Sequence, residues 1–301
     1  MSSPIRHALL LTAGLGTRLR PLTDVRAKPA IPVAGDPMVR RIIAWLASHD
    51  VTELVLNLHH LPETLTAVVG DGADLSVRVR YSWEPRILGS AGGPKRALPL
   101  LGADQFLIVN GDTITNVDLG SLAQAHSASG ALVTLALVPN REFERYGGVI
   151  VDVESRVTGY VPRGPSAAGS YHFIGVQVVQ SAAFDAVRPD EPAHSIGGAY
   201  DALMAGLPGS VRGFLCDAEF WDVGTTQDYW RTSAAFAART HMADLGIGRA
   251  ARIDPSARVV RSILWDDVQV EANAVIEDCI LTDGVRVAAG AIHRGEILRR
   301  R

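Results

Sequence analysis

The chain has 301 residues, 47% of them hydrophobic and 20% charged, with 29 basic and 32 acidic groups for a net charge of −3. That apolar content excludes disorder as the dominant state and is enough for one large domain or two. No apolar run approaches the ~18 residues of a membrane span, and the charge balance gives no global positive field to hold nucleic acid. The two cysteines, Cys216 and Cys279, are too few for a disulfide framework, so a reducing cytoplasm is the expected home.

The apolar run Ala8 to Leu11 is too short for a secretory core and reads as a buried strand, His7 to Thr12. Pro37 to His49 carries apolar positions at helical spacing, with Pro37 suited to a first helical turn. Glu53 to Leu58, Val77 to Tyr81, Phe106 to Val109 and Leu132 to Val138 read as further strands. Alternating strands and helices predict an α/β fold, a mostly parallel sheet with helices on both faces. Such sheets bind ligands beyond the carboxyl ends of their strands, which singles out the loops starting at Ala13 and Asn110. Strand-like runs Gly148 to Val151, Val157 to Val161 and Tyr171 to Val178 follow, then helical runs Gly197 to Leu207 and Thr226 to Ala238. These read as additions to the same domain, forming a lid or second lobe over the sheet.

After Gly248 the chain repeats at a spacing of 17 residues: Ile253 with Val270 and Val287, Ala257 with Ala274 and Ala291, Ile263 with Ile280, Leu264 with Leu281, Val268 with Val285. Small and branched apolar residues in register predict the stacked coils of a β-solenoid. Two ordinary hairpins are the alternative. The tract holds fewer than three full coils by this reading, so it is expected to pack on the main domain or on another subunit.

The strongest local signal runs from Leu11 through Gly14, Gly16, Thr17, Arg18, Leu19, Pro21, Leu22 and Thr23 to Lys28-Pro29. A strand ends, a glycine loop follows, and cations follow the loop. Glycines let backbone N–H groups approach a phosphate, and Arg18 and Lys28 supply charge to its oxygens. Residues 1–45 hold seven basic and two acidic groups, which concentrates positive field there. Lys28 and Lys95 are the only lysines beside 27 arginines. The dinucleotide fingerprint fails because Leu19 stands where its third glycine belongs, and the P-loop fails for want of Gly-Lys-Ser/Thr. A surface turn with incidental arginines is the remaining alternative.

Gly14-x-Gly16-Thr17-Arg18-Leu19-x-Pro21-Leu22-Thr23, then Lys28-Pro29 and Pro32-Val33-x-Gly35-x-Pro37, resembles the sugar-1-phosphate nucleotidyltransferases, within them the mannose-1-phosphate guanylyltransferase-like branch. The resemblance implies a Rossmann-like catalytic domain over residues 1–240 and a short C-terminal left-handed β-helix over 249–301. It implies that Ala13, Gly14, Gly16 and Thr17 lie against the nucleotide, that Arg18 contacts the triphosphate and leaving pyrophosphate, and that Lys28 holds phosphates near the reaction centre. Leu88-Gly89-Ser90-Ala91-Gly92 resembles the base- and ribose-contacting stretch, and Glu84 just before it is expected to face the base. Asn110-Gly111-Asp112 and Trp221-Asp222-Val223-Gly224-Thr225 resemble the turns bearing two metal aspartates, so Asp112 and Asp222 are the expected Mg²⁺ ligands. Asn110, with Tyr146 and Gly147 of the sugar-contacting turn, is expected at the sugar phosphate. Where the family has Glu-Lys-Pro, this chain reads Pro162-Arg163-Gly164; Arg163 can replace the cation, while the acid is missing.

The implied reaction joins a sugar-1-phosphate to the α-phosphorus of a nucleoside triphosphate, with GTP favoured over UTP, dTTP, CTP or ATP. The implied partners are those two substrates and further copies of the chain. The attacking phosphate is already anionic, its second pKa being about 6, so no general base is needed. Taken without the resemblance, Asp112 reads as an Asx turn after a strand and Asp222 as a helix N-terminal partner near Thr225. A non-catalytic sugar-nucleotide-binding subunit is the rival from another class. His59-His60 point to opposite faces of a strand, against a metal site, and the repeat around His293 is too short for a hexapeptide acyltransferase. Trp265 and the terminal Arg299, Arg300 and Arg301 read as packing and solvation.

Overall fold

Nine strands join one sheet, the central ones short apolar runs and β3 an alternating one: β1 (His7–Leu11), β2 (Glu53–Leu58), β3 (Arg78–Trp83), β4 (Gln105–Asn110), β5 (Val133–Pro139), β6 (Gly148–Val151), β7 (Val157–Val161), β8 (Tyr171–Gln180) and β9 (Val211–Leu215). The computed structural model describes residues 5–239 and 245–300. The expected boundary at 240 and Arg301 lie outside them. The chain forms two compact units: a sheet unit comprising the chain up to Gly14, Ile42–His60 and Val69–Phe220, and a second unit comprising Leu15–Arg41, Leu61–Val68 and the residues from Trp221 onward.

In the sheet unit the order is β7-β6-β8-β4-β1-β2-β3, with β5 pairing β8 and β9 pairing β5. The Rossmann-like core β4-β1-β2-β3 is parallel throughout, in the register Leu11↔Asn110, Leu10↔Leu56 and Leu58↔Trp83. The carboxyl ends of β1, β2 and β4 therefore meet on one edge. Helix α3 (Gly89–Leu101) packs on β1, β2 and β3. Helix α4 (Leu119–Ser129) packs beside β5, starting where Asp118 accepts from Gly120 N and Ser121 N and stopping at Gly130 in the left-handed region (φ +64°). Leu9, Val55, Phe106, Ile108, Val133, Leu135 and Phe184 form the core of this unit, all essentially inaccessible.

Three expectations change in detail. Of the runs expected to form a lid or second lobe, the three strand-like ones instead lengthen the sheet: β8 runs antiparallel beside β4, β6 pairs with β8, and β7 pairs with β6. Pro37 does not open the helix; it pairs with Pro32 in a two-residue ladder, and helix α1 begins at Met38 (Met38–Ala47). The solenoid has three coils, not fewer, because a third set of strands, Arg286–Val287, Ile292–Arg294 and Ile297–Leu298, completes each stack.

The solenoid belongs to the second unit. Its three parallel stacks pair residues 17 apart: Ile253↔Val270↔Val287, Arg258↔Val275↔Ile292 and Leu264↔Leu281↔Leu298. This three-sided arrangement is the one expected of a left-handed β-helix. Leu264, Val270, Ile276, Leu281 and Val287 fill its interior. It packs, as expected for so short a tract, on residues that precede it. Trp265 is fully buried and donates to Tyr229 Oη at 3.0 Å; Tyr229, on helix α6 (Thr226–Arg239), donates to Pro32 O at 2.6 Å. Arg26 reaches both Asp266 (2.8 Å) and Asp283 (2.6 Å) and lies over the Trp265 ring. Burial opposes the Arg26 charge, but the two carboxylates outweigh it and raise its pKa.

Candidate active site

The edge where β1, β2 and β4 end gathers the first group of expected residues. Beyond Leu11, Thr12 N and Ala13 N donate to Asn57 Oδ1 at 2.6 and 3.3 Å, and the Thr12 hydroxyl donates to the Asn57 carbonyl. Asn57 Nδ2 donates to Glu84 Oε1 at 2.7 Å, and Leu88 N donates to Glu84 Oε2 at 2.9 Å. Glu84, expected to face the base, is fully buried. Helix α3 comes close enough that a Cβ on Gly93 would lie 2.7 Å from Glu84 Oε1.

From β4, Gly111 N donates to Leu11 O at 3.0 Å, which ties the Asn110-Gly111-Asp112 turn to the end of β1. The Asn110 side chain lies over Gly175, whose φ is +78° and whose Cβ would be 2.7 Å from Asn110 Nδ2. Only glycine permits both. At the start of α3, Gly89 has φ +76° and backs onto Ala193 O, Ala91 N donates to that same carbonyl at 2.9 Å, and Ser90 Oγ accepts from Ser195 N at 2.9 Å.

Tyr146 and Gly147 sit on a turn held by Asn140 Nδ2, which donates to both carbonyls at 3.2 and 3.4 Å. Gly147 lies against Val161 O and close to the backbone of exposed Arg163. The structure adds two residues that the sequence does not point to. The Tyr146 ring stacks on His172 at 4.1 Å and meets Phe220 edge-on at 5.8 Å, with the Arg145 guanidinium 4.7 Å from the ring centroid. Burial, chiefly, pushes the His172 pKa down to about 4, so this platform is neutral at pH 7. Tyr146, His172 and Phe220 are too far apart in the chain for any local pattern to connect them.

The second unit holds the cations. Gly16 has φ +61°; a Cβ there would meet Thr23 Cγ2 at 2.7 Å and Lys28 Cβ at 3.2 Å. Thr23 Oγ1 donates to Gly16 O at 3.0 Å, folding the loop onto itself. Thr17 and Arg18 stand exposed on a short 3₁₀ turn, while Lys28 is 8% exposed. At Gly224 three charged groups converge: the position of a Cβ would lie 3.2 Å from Asp222 Oδ2, 3.3 Å from an Arg18 guanidinium nitrogen and 3.4 Å from Asp228 Oδ2. The helix-partner role considered for Asp222 falls to Asp228. Its carboxylate accepts from Thr225 N (2.9 Å) and Thr225 Oγ1 (2.8 Å), while Asp228 N donates to Thr225 Oγ1 at 3.2 Å, a reciprocal cap on α6.

Among the described residues no three His, Cys, Asp or Glu side chains gather as metal ligands. His59 Nδ1 donates to the Glu84 carbonyl at 2.8 Å, and His293 contacts Glu296. Asp112 belongs to the sheet unit and Asp222 to the second.

Residues 7–239 match the family described as nucleotidyl transferase. The chain is 29% identical over 295 residues to a mannose-1-phosphate guanylyltransferase of Mycobacterium tuberculosis, covering 95% of this chain and 82% of that one. It is 26% identical to a UTP–glucose-1-phosphate uridylyltransferase of Synechocystis, over 93% of this chain and 76% of that one. Among solved structures, HddC from Yersinia pseudotuberculosis superposes with a TM-score of 0.67 at 22% identity, over 77% of this chain and all of that one.

Proposed function

The chain belongs to the nucleotidyl transferase family, and from that premise we propose that it transfers a nucleoside monophosphate from GTP to mannose-1-phosphate or a closely similar sugar-1-phosphate. The names of its relatives support the reaction class, and of the two named the guanylyltransferase spans the larger share of both chains. A phosphate oxygen of the sugar-1-phosphate attacks the α-phosphorus, and the bond to the bridging oxygen of pyrophosphate breaks. Two anions must be brought together and the departing charge stabilised, which positioning and fixed positive charge accomplish.

In this reading Ala13, Gly14, Gly16, Thr17, Gly89, Ser90 and Ala91 border the nucleotide, and Glu84 acts through Asn57, which meets Thr12 and Ala13. Arg18 neutralises the leaving pyrophosphate, and Lys28 steadies the phosphates. Asn110, Tyr146, Gly147 and Arg163 hold the sugar-1-phosphate. Asp112 and Asp222 offer the hard oxygen donors that suit Mg²⁺, which would supply charge neutralisation at the phosphate oxygens. The observation that carries the reading is the convergence at Gly224, where a cation suited to phosphate and a carboxylate suited to a divalent ion share one cradle.

The test mixes purified protein with each of five nucleoside triphosphates, Mg²⁺ and a panel of sugar-1-phosphates. Pyrophosphate release should be fastest with GTP and mannose-1-phosphate, and Asp112→Ala should abolish it. Release with no pair would sink the catalytic reading. Residues 1–240 form the catalytic part in this proposal, and 249–301 a β-helix through which copies associate, its last coil leaving strand edges open to pairing. A monomer by light scattering at working concentration would overturn it. Two free thiols suit a reducing cytoplasm, and no helix among the described residues is long and apolar enough to cross a membrane.

A further inference from the structure

Asn57 and Glu84 are 3% and 0% exposed, 27 residues apart, and absent from the loop they support. Three of the groups around them are fixed backbone donors. Thr12 N and Ala13 N face Asn57 Oδ1, and Leu88 N faces Glu84 Oε2. The orientation of the Asn57 amide is therefore determined: its oxygen toward the loop, its NH₂ toward Glu84 Oε1. A carboxylate only accepts, so it serves the Leu88 N–H and the Asn57 NH₂ without conflict. The next five backbone N–H groups, Gly14 to Arg18, donate to no protein acceptor among the described residues.

We propose that Glu84 and Asn57 are a pair of positioning residues for the phosphate loop. Glu84 sets the direction of the Asn57 amide, and Asn57 Oδ1 turns the Thr12 and Ala13 N–H groups inward. The run of unpaired N–H groups offered to a nucleotide phosphate then begins at Gly14, and Ala13 contributes backbone shape rather than a donor. This deepens the nucleotidyl-transfer reading and rests on it for its kinetic consequence, but the hydrogen-bond logic can be tested without turnover.

Asn57→Asp alone sets a second carboxylate against Glu84, and Glu84→Gln alone offers one acceptor to two donors. The double variant exchanges the two groups: the new carboxylate at 57 accepts from Thr12 and Ala13, the new amide at 84 donates to it and accepts from Leu88. Every hydrogen bond returns. Amide hydrogen exchange at Thr12 and Ala13 reads the geometry, and steady-state kinetics with GTP, Mg²⁺ and mannose-1-phosphate read the consequence. Each single variant should speed exchange at both amides about tenfold and raise KM for GTP about tenfold, with kcat changed less. The double variant should regain most of both.

Losses that simply add in the double variant overturn the proposal, and so does unchanged exchange in the singles. A single variant that fails to fold supports it only if the double variant folds and regains protection; a double variant that also fails to fold overturns it. Wild-type protein that releases no pyrophosphate with any substrate pair would remove the catalytic reading, while the exchange measurements would still decide the pairing.

Discussion

In the sheet unit, the polar groups that brace the strand ends at the candidate site are mostly neutral, and charged Asp112 and Arg163 lie outside the strands. Asn57 is the last residue but one of β2, Asn110 closes β4 over Gly175, and the carboxylate of this network, Glu84, meets donors at both oxygens. In the second unit the groups are charged: Arg18 sits on a 3₁₀ turn that follows Gly16 in the left-handed region, and Asp222 ends a three-residue strand just before Gly224. In the same unit Arg26 is buried between Asp266 and Asp283. Neutral networks set geometry at small desolvation cost once every partner is satisfied. Charges supply the field that phosphate chemistry needs, but a buried one must be paired, so this unit carries its own counter-ions.

The contrast breaks most visibly at Arg26. Arg26→Ala leaves Asp266 and Asp283 facing each other with their shared cation gone. Burial already pushes Asp283 upward, whereas the Arg26 and Arg249 hydrogen bonds overcome burial to hold Asp266 low. Removing one member of such a buried cluster typically costs about 3–5 kcal/mol. Urea unfolding followed by tryptophan fluorescence should show a loss of that size. A loss below about 1 kcal/mol would mean that these charges are solvated and the contrast between the units is false.

A neutral counterpart lies at His126 in the sheet unit, 1% exposed and hydrogen-bonded to Thr134 Oγ1 at 2.8 Å and Gln180 at 3.2 Å. Burial pushes its pKa down to about 4 from the ordinary 6.5. Between those two values the unfolded chain takes up a proton that the folded chain refuses. The stability contributed by the neutral ring is complete above the upper value, falls as pH falls through the interval, and is gone below the lower one; its ceiling is about 3 kcal/mol. Urea midpoints at pH 7 and pH 4.5 should separate more for wild type than for His126→Gln. Equal separations would show that this network tolerates charge.

The legible parts of the fold are those that local pattern controls. Glu53–Leu58 matches β2 at both ends, since an apolar run of six residues has the length of a strand and is too short for a typical helix. The 17-residue repeat maps directly onto the stacked register because one coil is one period. The insertion of β8 was not legible: its middle is buried on both faces, and such a run carries no mark of strand direction. At the site, the glycines and cations of the first loop announce themselves. Asn57 does not, since it sits inside an apolar strand and its meaning depends on a carboxylate 27 residues away. Asp222 and Asp228 could not be told apart in sequence, because either can cap a helix near Thr225; the side-chain geometry gives the cap to Asp228.

A finer test of how the β-helix is seated comes from Tyr229. Its hydroxyl accepts from Trp265 Nε1 and donates to Pro32 O, linking the solenoid, α6 and the segment after the glycine loop. Tyr229→Phe keeps the ring and orphans both partners in a dry environment, at a cost of about 2 kcal/mol. Trp265→Phe removes the orphaned donor as well, so adding it to Tyr229→Phe should cost less than it does alone. Strict additivity in a double-mutant cycle would show that the two side chains do not communicate.

The smallest expected effect bears most directly on function. Gly224→Ala adds a methyl group at the one point that Asp222 Oδ2, Arg18 and Asp228 Oδ2 all approach within 3.4 Å. Its backbone is not in the left-handed region, so no strain accompanies the change. The three neighbours are ends of side chains that can each retreat a few tenths of an ångström, and stability should move by no more than about 0.5 kcal/mol. A retreat of that size matters to a charge cradle, because catalytic groups act through their placement. The expected outcome is a kcat/KM about tenfold lower, about 1.4 kcal/mol in transition-state stabilisation, with an unchanged urea midpoint. An unchanged kcat/KM would mean that the convergence at Gly224 is a packing feature, and the charged unit would then lose its claim to the phosphate chemistry.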